Sequence, residues 1–141
     1  MKRNRRRRGF TLVELLLVVV IIGILAALVI PRIAGRAEEA RVEAAKAQIV
    51  RFVEALNTFE MYAGRFPTTE EGLQALLVQP PGITGEGKWR GPYLEQQSTQ
   101  VPPDPWGNPY VYKFEPGDPT FTLFSKGRDG IEGTEDDIHR Q

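Results

Sequence analysis

Five carboxylates fall within nine residues near the end of the chain: Asp129, Glu132, Glu135, Asp136 and Asp137. Glycines at 127, 130 and 133 punctuate the same segment, letting the backbone curl and aim carbonyl oxygens inward. The chain has no cysteine and one histidine, His139, so the donors are oxygens, which suit a hard cation such as calcium better than zinc or copper. The order is not that of an EF-hand loop: Asp129 is not followed by acidic or amide residues at alternate positions and a closing glutamate. Residue types alone leave two readings, a calcium loop and a solvated acidic turn.

A second chemical signal lies at the other end. Glu14 is the only formal charge between Phe10 and Ile30, an apolar run of 21 residues that stops at Pro31. A carboxylate in such surroundings is costly without a partner, so it reads as functional. Phe10 and Glu14 lie four residues apart, on one face of a helix. Directly upstream sit Arg3, Arg5, Arg6, Arg7 and Arg8. A basic block before an apolar run of about 20 residues predicts a membrane-spanning helix with its N-terminus in the cytoplasm and the following domain exported. Pro31, Arg32 and Ile33 offer no small-residue cleavage site of the ordinary signal-peptide kind.

The elements that must hold these groups follow from periodicity. The composition of residues 34–62 is compatible with helix, and Ile49, Phe52, Val53, Leu56 and Phe59 recur at three- and four-residue spacing. One nearly continuous rod is expected from about Phe10 to Tyr62, with a possible kink at Pro31. Thr68 and Glu71 form a capping-box signature for a short helix carrying Leu73, Leu76 and Leu77, which must end by Pro80 and Pro81. Residues 78–105 read as an ordered loop anchored by Trp89, Pro92, Tyr93 and Leu94. A turn over residues 104–109 precedes a strand at 110–114, a turn at 115–119 and a strand at 120–125. That hairpin is expected to pack on the Ile49-to-Phe59 face, with a further strand from residues 94–102. Trp106, Tyr110 and Tyr112 fit core packing better than a binding platform, and His139 is expected to be exposed.

Composition narrows the function classes. About 110 residues after Ile30 allow one domain. Net charge is zero overall, but residues 1–9 hold six Lys/Arg and no acids, leaving 12 basic against 18 acidic groups beyond them. A mildly acidic outer domain lacks the basic footprint that nucleic acid requires. Without cysteines, no disulfide staples it. No nucleophile–base pair or redox group accompanies the acidic loop, so a membrane-tethered enzyme is disfavoured.

Gly9, Phe10, Thr11, Leu12, Val13 and Glu14 resemble the processing and assembly signal of type IV pilins and related pseudopilins. Three later stretches resemble the major pseudopilins of the type II secretion system: Ile30, Pro31 and Arg32; residues 104–110 (Asp, Pro, Trp, Gly, Asn, Pro, Tyr); and residues 125–130 with Asp136, Asp137 and Ile138. The resemblance implies an α+β, type IV pilin-like fold. A long N-terminal helix, half transmembrane and half amphipathic, would pack against a short helix, an ordered loop and a small antiparallel sheet with a calcium loop. It implies a cleaved cytoplasmic leader (1–9), a transmembrane and filament-core helix (10–30) and a periplasmic domain (31–141). A prepilin peptidase would cut between Gly9 and Phe10, and Phe10 would be N-methylated. Glu14 would pair with the terminal amine of a neighbouring subunit. A calcium ion would take Asp129, Asp136, Asp137 and Ser125, with the carbonyls of Lys126 and Ile131. The implied role is non-enzymatic: a homopolymer forming the periplasmic pseudopilus that drives export of folded proteins. Its implied partners are minor pseudopilins, an inner-membrane assembly platform and its ATPase, and membrane lipid before assembly. The implied location is the bacterial inner membrane, single-pass, and the periplasmic filament after assembly. A type IV pilin for adhesion, motility or DNA uptake is the alternative, disfavoured by the missing C-terminal cysteine pair and by the acidic loop.

Overall fold

The computed structural model describes residues 9–94 and 99–140, with the side chains of residues 28–34 outside the described set. The order of elements is a helix α1 (Leu12–Ala63), a 3₁₀ turn (Leu73–Leu76), and strands β1 (Val111–Lys113), β2 (Thr122–Ser125) and β3 (Ile138–His139). The chain divides into two compact units, Met1–Glu39 and Ala40–Gln141, with α1 contributing to both.

In the second unit the three- and four-residue stripe of α1 does what its spacing implies. Ala45, Ile49, Phe52, Leu56 and Phe59 are buried and share one core with Leu73, Leu76, Leu94, Tyr110, Tyr112, Phe121 and Leu123. The aromatic rings meet edge to face: Phe52 against Tyr110 at 5.1 Å, Phe59 against Tyr93 at 5.7 Å and Phe66 against Phe121 at 4.9 Å. Complete burial of a side chain the size of Phe52 stabilises by about 2–3 kcal/mol, so this stripe carries much of the domain. Trp89 and Tyr93 pack on the core rim and Leu94 lies within it, as anchors of the long loop, whereas Pro92, expected among them, is exposed. Trp89 Nε1 donates to Ala75 O at 3.1 Å, and Tyr93 N to Leu76 O at 2.8 Å.

The capping box forms, but it caps a single turn. Thr68 N donates to Glu71 Oε2 at 2.9 Å, and Glu71 N donates to Thr68 Oγ1 at 3.3 Å. Gly72 then turns to φ +59°, ψ −168°, which ends the helical path, and only a 3₁₀ turn follows. Arg65 locks the same corner: its Nη1 and Nη2 donate to Glu71 Oε2 and Oε1 at 2.6 and 2.7 Å.

The sheet is antiparallel in the order β1-β2-β3. Tyr112 pairs with Leu123, and Ser125 pairs with Ile138. The hairpin is shorter at both strands than the sequence suggested. The third strand corrects the expectation at 94–102: residues 95–98 lie outside the described residues, and the described part of that stretch forms no strand. Ile138 and His139 take the place beside β2, which puts the acidic loop between β2 and β3.

The membrane-spanning expectation for residues 10–30 is overturned. Among the described residues, no helix is long and apolar enough to cross a membrane. Helix α1 begins at Leu12, with Glu14 in its first turn. The single-pass inner-membrane topology is corrected accordingly. Residues 10–25 instead present a run of exposed apolar side chains, Leu12 being 82 % and Leu16 64 % accessible.

Candidate functional sites at the helix start and the acidic loop

Gly9 and Phe10 precede α1 without regular structure, and the Phe10 side chain is 77 % exposed. No heavy atom lies within 4 Å of where a Gly9 Cβ would stand. The arginines at 3 and 5–8 lie outside the described residues. Glu14 does not stand alone: its Oε2 accepts the Thr11 N–H at 3.2 Å and the Thr11 hydroxyl at 3.3 Å. Thr11 Oγ1 in turn accepts the Glu14 N–H at 3.2 Å. This is a reciprocal capping box that satisfies helix-start N–H groups and places a negative charge at the positive end of the helix dipole. The Thr-x-x-Glu spacing was visible in the sequence, yet only the charge of Glu14 drew attention to it.

In the acidic loop most carboxylates are turned onto loop donors. Asp136 Oδ2 accepts the Asp129 N–H at 3.0 Å, and Asp136 Oδ1 accepts the Thr134 hydroxyl at 2.6 Å. Asp137 Oδ2 accepts the Gly133 N–H at 2.7 Å, and Asp129 Oδ1 the Ile131 N–H at 2.8 Å. The Thr134 hydroxyl, followed by the Asp129 N–H, holds the Asp136 carboxyl below its ordinary pKa. Glu132 is drawn outward to Lys113, and the Ile131 carbonyl accepts from Thr134 Oγ1 at 3.1 Å. Among the described residues, no three His, Asp or Glu side chains converge as a preformed cation site. One atom stands apart. Asp137 Oδ1 is buried and has no hydrogen-bond partner. An orphaned buried acceptor costs roughly 1–3 kcal/mol, more when charged, and a cation is the partner such an oxygen would take. The donor set, all oxygen, suits calcium.

Sequence reasoning missed the floor beneath this loop. Asp104 is 4 % exposed, and its Oδ1 accepts the N–H groups of Trp106 at 3.1 Å and Asn108 at 2.8 Å. Its Oδ2 accepts the hydroxyl of Ser125 at 2.6 Å. Asn108 Nδ2 donates to Gly127 O at 3.2 Å. The turn at 104–109 and the loop after β2 are therefore one construction. An aspartate opening a turn signals local N–H capping, but nothing in its spacing signals a contact 21 residues away. Tyr110 and Tyr112 are core residues, and the Tyr112 hydroxyl donates to Pro67 O at 2.7 Å. His139 is exposed and lies against the Phe124 ring at 4.9 Å.

Comparison with known proteins gives a consistent outcome. The family profile for type II secretion system (T2SS), protein G, matches residues 32–141, and that for the prokaryotic N-terminal methylation motif matches residues 4–30. The chain is 41 % identical over 135 residues to type II secretion system core protein G of Pseudomonas aeruginosa, covering 95 % of this chain and 92 % of that protein. It is 40 % identical over 142 residues to the core protein G of Vibrio cholerae, covering 98 % and 94 %. The crystal structure of the major pseudopilin from the type 2 secretion system of enterohaemorrhagic Escherichia coli superposes with a TM-score of 0.60. That likeness is at 32 % identity and covers 74 % of this chain and 85 % of that one.

Proposed function

This chain belongs to the type II secretion system protein G family, and from that premise we propose how its two ends serve a secretion filament. It is a structural, non-catalytic subunit of the pseudopilus, which works in protein export across the outer membrane. The observation that carries this is the protein G match over residues 32–141, which selects the pseudopilin branch over the type IV pilin alternative.

At the N-terminal end, a prepilin peptidase cuts between Gly9 and Phe10, and Phe10 is then N-methylated. The match to the methylation motif and the open, exposed setting of Gly9 and Phe10 support this. The exposed apolar side chains of residues 10–25 are covered by other copies of the chain in the filament. Glu14 pairs there with the terminal amine of Phe10 of a neighbour, releasing the Thr11 cap it holds in the single chain. The distances to Thr11, 3.2 and 3.3 Å, describe weak bonds that are readily exchanged for an ion pair.

At the C-terminal end, a calcium ion is held by Asp129, Asp136 and Asp137 with the carbonyls of Lys126 and Ile131. The ion supplies two positive charges among crowded carboxylates and is structural. The orphaned Asp137 Oδ1 supports this reading. Ser125 braces the loop from behind, its hydroxyl donating to Asp104 and accepting the Gly127 N–H. A cation held there would tie down the loop that joins β2 to β3 in a domain that has no disulfide. Its partners in the filament machinery are minor pseudopilins, the assembly platform and its ATPase.

A secretion assay tests the reading. Cells lacking this chain should retain exoproteins, wild-type chain should restore export, and Glu14→Ala should not. Unchanged export without the chain would end the proposal.

A further inference from the structure

We infer that Asp104, acting through Ser125 and Asn108, is the positioning residue of the acidic loop and sets its affinity for a cation. The inference rests on the calcium reading of residues 125–137. A carboxylate that is 4 % exposed is costly unless hydrogen bonds meet its charge, so its surroundings are built for it. Oδ1 closes its own turn through the N–H groups of Trp106 and Asn108. Oδ2 reaches across to Ser125, which is fully buried.

From there the contacts run straight to the acidic loop. Ser125 Oγ accepts the Gly127 N–H at 3.1 Å while Asn108 Nδ2 donates to the Gly127 carbonyl at 3.2 Å. Gly127 is thus gripped at both of its polar groups by the 104–108 turn and by Ser125. Its φ is +62°, and a Cβ there would stand 2.2 Å from Asp136 O and 2.8 Å from Asp136 Oδ2. Gly127 therefore lies directly on Asp136, and displacement of the one displaces the other. The Asn108 amide also lies against Gly130, where a Cβ would be 3.1 Å from Asn108 Oδ1. A loop held at Gly127, two residues before Asp129 and against Asp136, constrains where those two carboxylates stand. Calcium needs its oxygens at about 2.3–2.6 Å, so such backing translates into affinity. Groups that orient metal ligands from behind are typically worth about 10- to 100-fold in metal affinity.

The test is calcium titration of the full chain in mild detergent by calorimetry, together with melting in chelator, for wild type and five variants. Wild type should bind one ion, and Asp136→Ala should lose it. Asp104→Asn, Ser125→Ala and Asn108→Ala should each weaken binding by about tenfold or more. The double variant Asp104→Asn/Ser125→Ala should weaken it no further than the worse single one, because both sit on one path. Asn108 is only partly buried, so its variant stays folded and keeps the test valid if the other two do not. Wild-type binding with variant affinities within twofold, even at lower melting temperatures, would overturn the positioning role. Failure of wild type to bind calcium would instead remove the calcium reading itself.

Discussion

Replacing Glu71 with alanine removes the carboxylate that ties the end of α1 to the 3₁₀ turn. Glu71 accepts two guanidinium bonds from Arg65, at 2.6 and 2.7 Å, and the Thr68 N–H at 2.9 Å. The side chains of Arg65 and Glu71 are 35 % and 16 % exposed, so neither limiting case applies. Exposed ion pairs contribute about 0–1 kcal/mol, whereas breaking a buried one costs about 3–5 kcal/mol. Discounted for the water that can re-solvate Arg65, the expected loss is about 2 kcal/mol, or about 8 °C in Tm for a domain of this size. Arg65, then the Thr68 N–H, hold the Glu71 carboxyl below its ordinary pKa. A depressed carboxylate contributes fully above its unfolded value of about 4.3, and the contribution is lost as pH falls through the folded value. The gap between wild type and Glu71→Ala should therefore be widest near pH 7 and close in acid. Thermal melts of the full chain between pH 3 and 7 measure it. A gap under 2 °C at neutral pH, or one that persists unchanged in acid, would refute the reasoning.

Two further outcomes follow from the core. Phe52→Ala empties the centre of the helix–sheet contact, where Phe52 is fully buried against Tyr110, and should cost about 3–5 kcal/mol in urea unfolding. Burial, followed by the nearby Asp104 charge, pushes the Tyr110 hydroxyl up to about 12, and burial pushes Tyr112 up as well. Acids raised in the fold contribute stability below their unfolded value of about 10, and that stability is lost as pH rises through the folded value. Ultraviolet titration should show these two tyrosines silent near pH 10, ionising only as the domain unfolds in stronger alkali.

The parts of the fold legible in the sequence are those governed by periodicity. Ile49, Phe52, Leu56 and Phe59 repeat at helical spacing, and their burial follows from it. The loop anchors Trp89, Tyr93 and Leu94 are large apolar side chains in a stretch with few others, so their inward packing was also readable. The 3₁₀ turn departed from expectation because one residue, Gly72, outweighed the helix-forming pattern after it. Strand β3 was hidden because two residues after an acidic turn show no alternation. Its pairing with β2 is set by the tertiary return of the loop. The link from Asp104 to Ser125 was illegible for a related reason: a single side-chain bond has no period and no fixed separation. The composition of residues 10–30 predicts a bilayer span, whereas among the described residues no helix is long and apolar enough to make one. Glu14 was noticed for its charge, while its bond to Thr11 needed only the Thr-x-x-Glu spacing already present.

The most direct measurement counts sheared fibres by electron microscopy from cells carrying wild type, Glu14→Gln or Glu14→Ala at equal subunit levels. Glutamine keeps the capping box with Thr11 but removes the charge, so it separates helix capping from ion pairing between subunits. Abundant wild-type fibres with few or none from both variants are the predicted result. Normal fibres from both variants would contradict a filament assembled through Glu14.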